Sequence, residues 1–365
     1  MSLKRIEKKV LAGKRLTQEE ALLLFENDDI FTLGRLANHA AVMKNGSNAY
    51  YIRNHHINPT NLCINRCTFC AFSRSKGEKG AYELTIDEII NKLKKWEGSK
   101  KRHMPSTPSF SEVHIVGGLH PGWGFDYYLD MIRRIKKALP AVHIKAFTAV
   151  EIDHFSKISG LSLRETLIAL KEAGLESMPG GGAEILGSRV RNKICPEKIS
   201  GRRWLKVMEI AHGVGIRTNA TMLYGHLETY RDRIDHLTKL RELQERTGGF
   251  QAFIPLAFHP MNTKIKKARY TSGIDDLTTI AVSRLFLDNF PHIKAYWVML
   301  GEKVAQLALL FGADDLDGTI MEEKITRSAG ALSGHAMTRE QLINLIEKAG
   351  KVPVERDIFY NPVSP

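Results

Sequence analysis

From residue 50 onward, short apolar runs of strand character alternate with segments of helical periodicity. The strand-like runs fall at residues 50–57, 112–116, 143–149, 176–179, 217–223, 251–257 and 293–299. Helical patterns occupy residues 85–96, 125–139, 163–173, 201–212, 229–246, 275–289 and 302–311, and a short strand near 315–316 precedes a last helix over 339–349. A helix between each pair of strands makes the strands parallel and puts them side by side. Seven or eight such units suffice to curl a sheet shut, so the pattern predicts an α/β fold, a TIM-type (β/α) barrel of eight strands. The chain has 365 residues, more than the ~250 a barrel commonly takes, and the surplus falls at its ends. Leu and Ala recur at helical spacing over residues 17–26 and 30–45, and Thr17 followed by Glu20 has the form of a capping box. We therefore expect a helical extension over 1–48, the barrel core over 49–320, and a closing helix and tail over 321–365.

Hydrophobic residues make up 43% and charged residues 25% of the chain, a balance that builds a large core and excludes a disordered or fibrous chain. No apolar run reaches the ~18 residues of a membrane span, and the lysine-rich start lacks an apolar stretch behind it. A cytoplasmic chain with no membrane partner is expected. The net charge of +13 suits an anionic partner, either nucleic acid or a carboxylate or phosphate substrate. The most basic stretch, residues 92–103, and the Pro-, Ser- and Thr-rich residues 104–110 read as a solvated helix end and surface loop, so no nucleic-acid partner is expected.

Of four cysteines, Cys63, Cys67 and Cys70 lie within eight residues and Cys195 stands alone. Such clustering favours metal or redox chemistry over disulfides. The motif is C-x3-C-x2-C with Phe69 before the last cysteine, and its short spacers let three thiolates converge from one loop. Two metal centres compete. A structural zinc needs a fourth ligand, for which His55, His56 or Cys195 would have to serve. A four-iron cluster held by three cysteines keeps one iron open to a substrate, since full protein ligation takes four.

The triplet, placed behind the first strand of a barrel, resembles the signature of radical S-adenosylmethionine (SAM) enzymes. The resemblance implies that Cys63, Cys67 and Cys70 hold a [4Fe-4S] cluster whose fourth iron is chelated by SAM, at the face where barrels place their chemistry. It also gives the glycine runs a meaning. Gly117 and Gly118 end the second strand, where the family holds the SAM amino group against bare backbone. Gly180, Gly181 and Gly182 end the fourth, and Glu184 behind them is placed to accept the ribose hydroxyls. A salt bridge from Glu184 to Arg189 or Arg191 is the competing structural role. Cys195 reads as a packed small residue rather than a fourth ligand.

Strand alternation puts His56 and Asn58 on one side and His55 and Ile57 on the other. Polar residues inside a barrel near its catalytic face suggest a substrate pocket, which Asn219, Thr221, His226 and His259 would join from later strands. Within the superfamily, the phrase His55-His56-Ile57-Asn58-Pro59-Thr60-Asn61 and the triple glycine with Ala183-Glu184-Ile185-Leu186 closely resemble the aminofutalosine synthase group of the futalosine route to menaquinone. That resemblance implies a transferase that adds the 5′-deoxyadenosyl radical of SAM to 3-[(1-carboxyvinyl)oxy]benzoate, with aryl migration and loss of carbon dioxide, giving 6-amino-6-deoxyfutalosine. It implies SAM as a co-substrate, a small aromatic dicarboxylate as substrate and a reductant such as flavodoxin or ferredoxin. Arg53, Arg74, Arg189 and Arg217 are candidates for gripping the carboxylates. The sister dehypoxanthine futalosine cyclase and the deazaflavin-cofactor synthases, which use the radical to take hydrogen, are the alternative enzymes. An RNA-binding iron-sulfur protein is the alternative outside catalysis.

Overall fold

The computed structural model describes residues 3–97, 110–266, 268–334 and 336–363. Most of the basic and Pro/Ser/Thr-rich stretch, residues 98–109, lies outside the described residues. The strands in chain order are β1 (Asn48–Ile52), β2 (Asn54–Ile57), β3 (Glu112–Ile115), β4 (His143–Ala146), β5 (Ser177–Met178), β6 (Arg217–Tyr224), β7 (Phe250–Ala257), β8 (His292–Ile293), β9 (Asp315–Gly318) and β10 (Val352–Glu355). Strands β2 to β8 form a seven-stranded sheet in sequence order, every pairing parallel. A second sheet runs β10-β1-β9, also parallel.

The two sheets complete one ring. Asp314 N donates to Ile293 O at 3.0 Å and Ala295 N to Asp315 O at 2.8 Å, which ties β9 to the end of β8. His56 N donates to Met321 O at 2.9 Å and ties the chain after β9 to β2. The curled parallel sheet is the barrel expected from the strand-helix alternation. The run expected as one strand over 50–57 is broken at Arg53, whose guanidinium binds Glu355 at 2.6 Å, so that β1 and β2 enter different sheets. Strand β10 was not expected: Val352–Glu355 is short and has no apolar alternation strong enough to mark it.

Helices cover the outside, most of them presenting an apolar stripe to the sheet. Met131, Ile132 and Ile135 of the helix Phe125–Ala138 are fully buried, each such side chain contributing ~1.5–3 kcal/mol. The expected helix Leu163–Ala173 has the expected bounds, and the capping box of Thr17 and Glu20 is present. The helix Ala149–Ser159 was missed because it buries Glu151, Asp153 and Ser156 among its apolar residues and so shows little periodicity. Leu3–Leu11, Gln18–Phe25 and Ile30–Asn45 form the N-terminal helices, and the third packs on the helix Gly273–Phe286. No helix among the described residues is long and apolar enough to cross a membrane.

Candidate active site

A cavity of about 310 Å³ opens where the strands end and the loops behind them converge. The loop after β2 brings Cys63, Cys67 and Cys70 to its wall, all as free thiols. Leu119 N donates to Cys63 Sγ at 3.4 Å, and the loop is pinned from behind by Cys63 N to Arg74 O and Thr68 N to Ile194 O. Gly118 lets this happen: a Cβ there would sit 2.2 Å from Leu62 O and 3.1 Å from Cys63 Cβ. Among the described residues, no three His, Cys, Asp or Glu side chains gather as a set for a single metal ion. A cube that takes each thiolate on a different iron fits three separate thiols facing one cavity, as a single zinc ion does not.

Gly180, Gly181 and Gly182 line the same cavity beyond β5. Their bareness serves packing as well as access, because a Cβ on Gly180 would meet the Ala220 backbone at 2.7 Å and one on Gly182 would meet Val150 Cγ2 at 2.5 Å. Trp204 Nε1 donates to Gly181 O at 3.2 Å, fixing the run from outside. Glu184 follows in the left-handed region at φ 44°, a backbone conformation that a non-glycine residue holds only against strain. Its partner is Lys198, Nζ to Oε1 at 2.5 Å, rather than either arginine expected from the sequence. Arg191 instead donates to the carbonyls of Gly182, Ala183 and Ile199, and Arg189 to Asp232. Burial raises the Glu184 carboxyl, but Lys198 and Arg191 outweigh it and keep the group ionised. Burial alone would lower the Lys198 ammonium, and the Glu184 carboxylate holds it above its ordinary range.

His56, Asn58, Gly117, Gly118, Asn219, Thr221 and His259 also line the cavity, whereas His55 packs on Phe110. His226 is not among the lining residues. Its Nε2 binds Leu223 O at 2.9 Å and its Nδ1 accepts from Leu227 N at 2.7 Å, so its ring closes a local turn. Cys195 is buried against the helix end behind the cysteine loop and does not line the cavity. The four arginines offered as carboxylate grips stand elsewhere: Arg53 on Glu355, Arg74 on the carbonyls of Ala71 and Ser73, Arg189 on Asp232, and Arg217 on Gly248 O. The cations on the cavity wall are Lys145, Lys198 and Lys294. Lys145 on β4 and Lys294 just after β8 were missed because a lone lysine in Ile144-Lys145-Ala146 or Ile293-Lys294-Ala295 reads as the solvated face of a half-buried strand.

Glu151 was missed with its helix. It caps that helix through Thr148 N at 2.7 Å and Thr148 Oγ1 at 2.8 Å, reaches Gly117 N at 3.3 Å, and lines the cavity. Burial raises its carboxyl to about 7 despite these donors.

Two family profiles match the chain: one described as Radical SAM superfamily over residues 57–240, the other as CofH/MqnC C-terminal region over residues 247–364. The chain is 48% identical to the aminodeoxyfutalosine synthase of Thermus thermophilus, over 98% of this chain and 95% of that protein. The chain belongs to the radical SAM superfamily. The aminodeoxyfutalosine synthase of Streptomyces coelicolor is 44% identical over 98% of this chain and 93% of its own length. The 5-amino-6-(D-ribitylamino)uracil–L-tyrosine 4-hydroxyphenyl transferase of Methanococcoides burtonii is 42% identical over 95% of this chain and 96% of its own. Among solved structures, methylornithine synthase shares the fold at TM-score 0.74 and 18% identity, covering 95% of this chain and 97% of that one. The chain is thus a radical SAM enzyme that uses a [4Fe-4S] cluster and SAM, and the zinc reading and the reading as a non-catalytic iron-sulfur protein fall away. Enzymes of this superfamily act on small molecules and draw an electron from a reductant.

Proposed function

We propose that the chain is a transferase that joins the 5′-deoxyadenosyl group of SAM to the vinyl carbon of 3-[(1-carboxyvinyl)oxy]benzoate, with aryl migration and loss of carbon dioxide, to give 6-amino-6-deoxyfutalosine for menaquinone synthesis. The observation that carries this reading is the 48% identity to an aminodeoxyfutalosine synthase along nearly the whole of both chains. Cys63, Cys67 and Cys70 would hold the cluster, which when bound supplies the electron that splits the SAM sulfonium. The backbone at Gly117 and Gly118 would receive the SAM amino group. Gly180, Gly181 and Gly182 would let the nucleoside approach the sheet, with Glu184 on the ribose hydroxyls. His56, Asn58, Asn219 and His259 would face the second substrate. The residues' own task is confinement, since a primary carbon radical attacks any C–H within reach, and a closed cavity keeps it on the intended carbon. Flavodoxin or ferredoxin is the proposed electron donor.

The 42% identity to a hydroxyphenyl transferase supports a second reading, in which tyrosine and a ribitylaminouracil are the substrates. Anaerobic reconstitution followed by mass spectrometry separates the two. Incubated with SAM and the enolpyruvyl benzoate, the synthase gives a product containing the adenosyl carbon skeleton, with carbon dioxide. No such adduct, together with free 5′-deoxyadenosine from tyrosine and the ribitylaminouracil, would replace the first reading by the second.

A further inference from the structure

The strand registers set His56, His114 and Lys145 abreast, His56 opposite His114 and His114 opposite Lys145. Lys294 follows β8 and completes the group from another wall of the barrel. Lys145 is 3% and Lys294 1% exposed, yet both border the cavity. Each ammonium is balanced by a carboxylate: Lys145 Nζ lies 2.6 Å from Glu112 Oε2, and Lys294 Nζ lies 3.0 Å from Asp317 Oδ1. That pairing makes burial tolerable. It does not use up the donors, because an ammonium has three N–H bonds and each lysine makes one hydrogen bond among the described residues. Beside them, His56 Nε2 is buried with no hydrogen-bond partner, its ring 4.5 Å from that of His114. Besides their carboxylate partners, Glu112 for Lys145 and Asp317 with the more distant Asp315 for Lys294, the two ammonium groups have N–H bonds to spare, and with the unpartnered imidazole nitrogen they line one cavity, where a further anionic acceptor would complete them.

We propose that this wall of the cavity is a carboxylate subsite, in which Lys145, Lys294 and His56 Nε2 hold the ring carboxylate of an aromatic acid. The inference rests on the reaction proposed above, and the chemistry selects which carboxylate. The one lost as carbon dioxide is attached to the reacting vinyl group and must lie beside SAM and the cysteine loop. The ring carboxylate survives the reaction, and only it can lie deeper, among the strands. Lys145 and Lys294 are therefore positioning residues for the substrate, a role that the surface arginines cannot fill.

The test compares the enolpyruvyl benzoate with its analogue lacking the ring carboxylate, 2-phenoxyacrylate, on the reconstituted holoenzyme. A charge-assisted carboxylate contact is worth a factor on the order of 10–100, so kcat/KM falls by about that much for the analogue, chiefly through KM. Two double variants remove a buried pair without leaving an orphan charge: Lys145→Met with Glu112→Gln, and Lys294→Met with Asp317→Asn. Each should shrink the discrimination to within roughly threefold. Equal use of both compounds by the unaltered enzyme, or full discrimination retained in both double variants, overturns the subsite. Should the variants not fold, calorimetry on the unaltered holoenzyme decides: benzoate must bind in competition with the substrate while benzyl alcohol does not, and no benzoate binding overturns it. Product formation with no discrimination would sink the subsite alone. Benzoate binding without the adenosyl adduct would sink the proposed reaction and leave the subsite standing.

Discussion

Glu184 combines a left-handed backbone, burial and a lysine partner at one cavity-lining position. Strain of this kind persists where the surroundings over-determine it. In Glu184→Gln the amide keeps the shape, removes the charge that balances Lys198, and weakens the acceptor for a diol. We expect SAM affinity to fall about tenfold while the fold is retained, read by calorimetry on the reconstituted protein; unchanged affinity would remove the ribose role. For the cysteines the measurement is iron. Alanine at Cys63, Cys67 or Cys70 should lose the cluster and turnover together, whereas Cys195→Ala, placed behind the loop, should keep four irons per chain. Retention of cluster and activity in any of the first three variants contradicts the assignment.

At the level of elements, the cavity depends on how closely strand ends and loops approach. Gly118→Ala would drive a methyl group into Leu62 O, so we expect the cysteine loop to shift and iron loading to drop well below half, with little change in the thermal midpoint. Gly124 has an ordinary backbone, and a methyl group placed there would find nothing within 4 Å. Gly124→Ala should load iron normally; equal loading of both variants would show that the close approach is unimportant. The elements that set this geometry were largely legible in the sequence. Apolar runs and helical periodicity marked the barrel strands and most crossover helices, and C-x3-C-x2-C marked the loop, because these are local patterns; the run 293–299 misled, since only its start continues β8 and Trp297–Leu300 form a short helix. What stayed hidden depends on partners far along the chain. Strand β10 exists only by pairing with β1. Lys145 and Lys294 are buried only because Glu112 and Asp317 arrive from other strands. His226 looked like a pocket residue because its position after β6 is right, but its ring is consumed by its own turn.

At the scale of the whole molecule, burial holds several histidines neutral. Burial lowers His114, His143 and His212 to about 4 and His236 to about 3. His236 shows the reason in its geometry: Nδ1 accepts from Leu186 N at 3.2 Å while Nε2 faces Thr221 O at 3.0 Å, so a proton on Nδ1 would oppose an N–H. A histidine depressed in the fold contributes stability that is complete above its unfolded pKa of ~6.5 and is lost as the pH falls towards the folded value. Each such residue removes up to ~2 kcal/mol by pH 5. Glu151, raised to about 7, works the other way, its contribution declining as the pH rises from ~4.5 to about 7. The lowered histidines outweigh the raised carboxyls of Glu151, Asp276 and Glu323, so the urea midpoint should be clearly lower at pH 5 than at pH 7.5. His236→Gln, with an amide to satisfy both contacts, should reduce the slope; a flat profile in the unaltered protein would refute the balance.

The ring is sealed by residues far from the cysteine loop. Strand β9 ties β8 to the start of the barrel, β10 lies against β1, and Arg356 is locked on Asp315 at 2.8 Å with both side chains fully enclosed. During synthesis the thiols therefore emerge long before the staves that will shut them in. A chain made only as far as β8 can display the ligands but lacks the strands that complete the ring around the cavity they face.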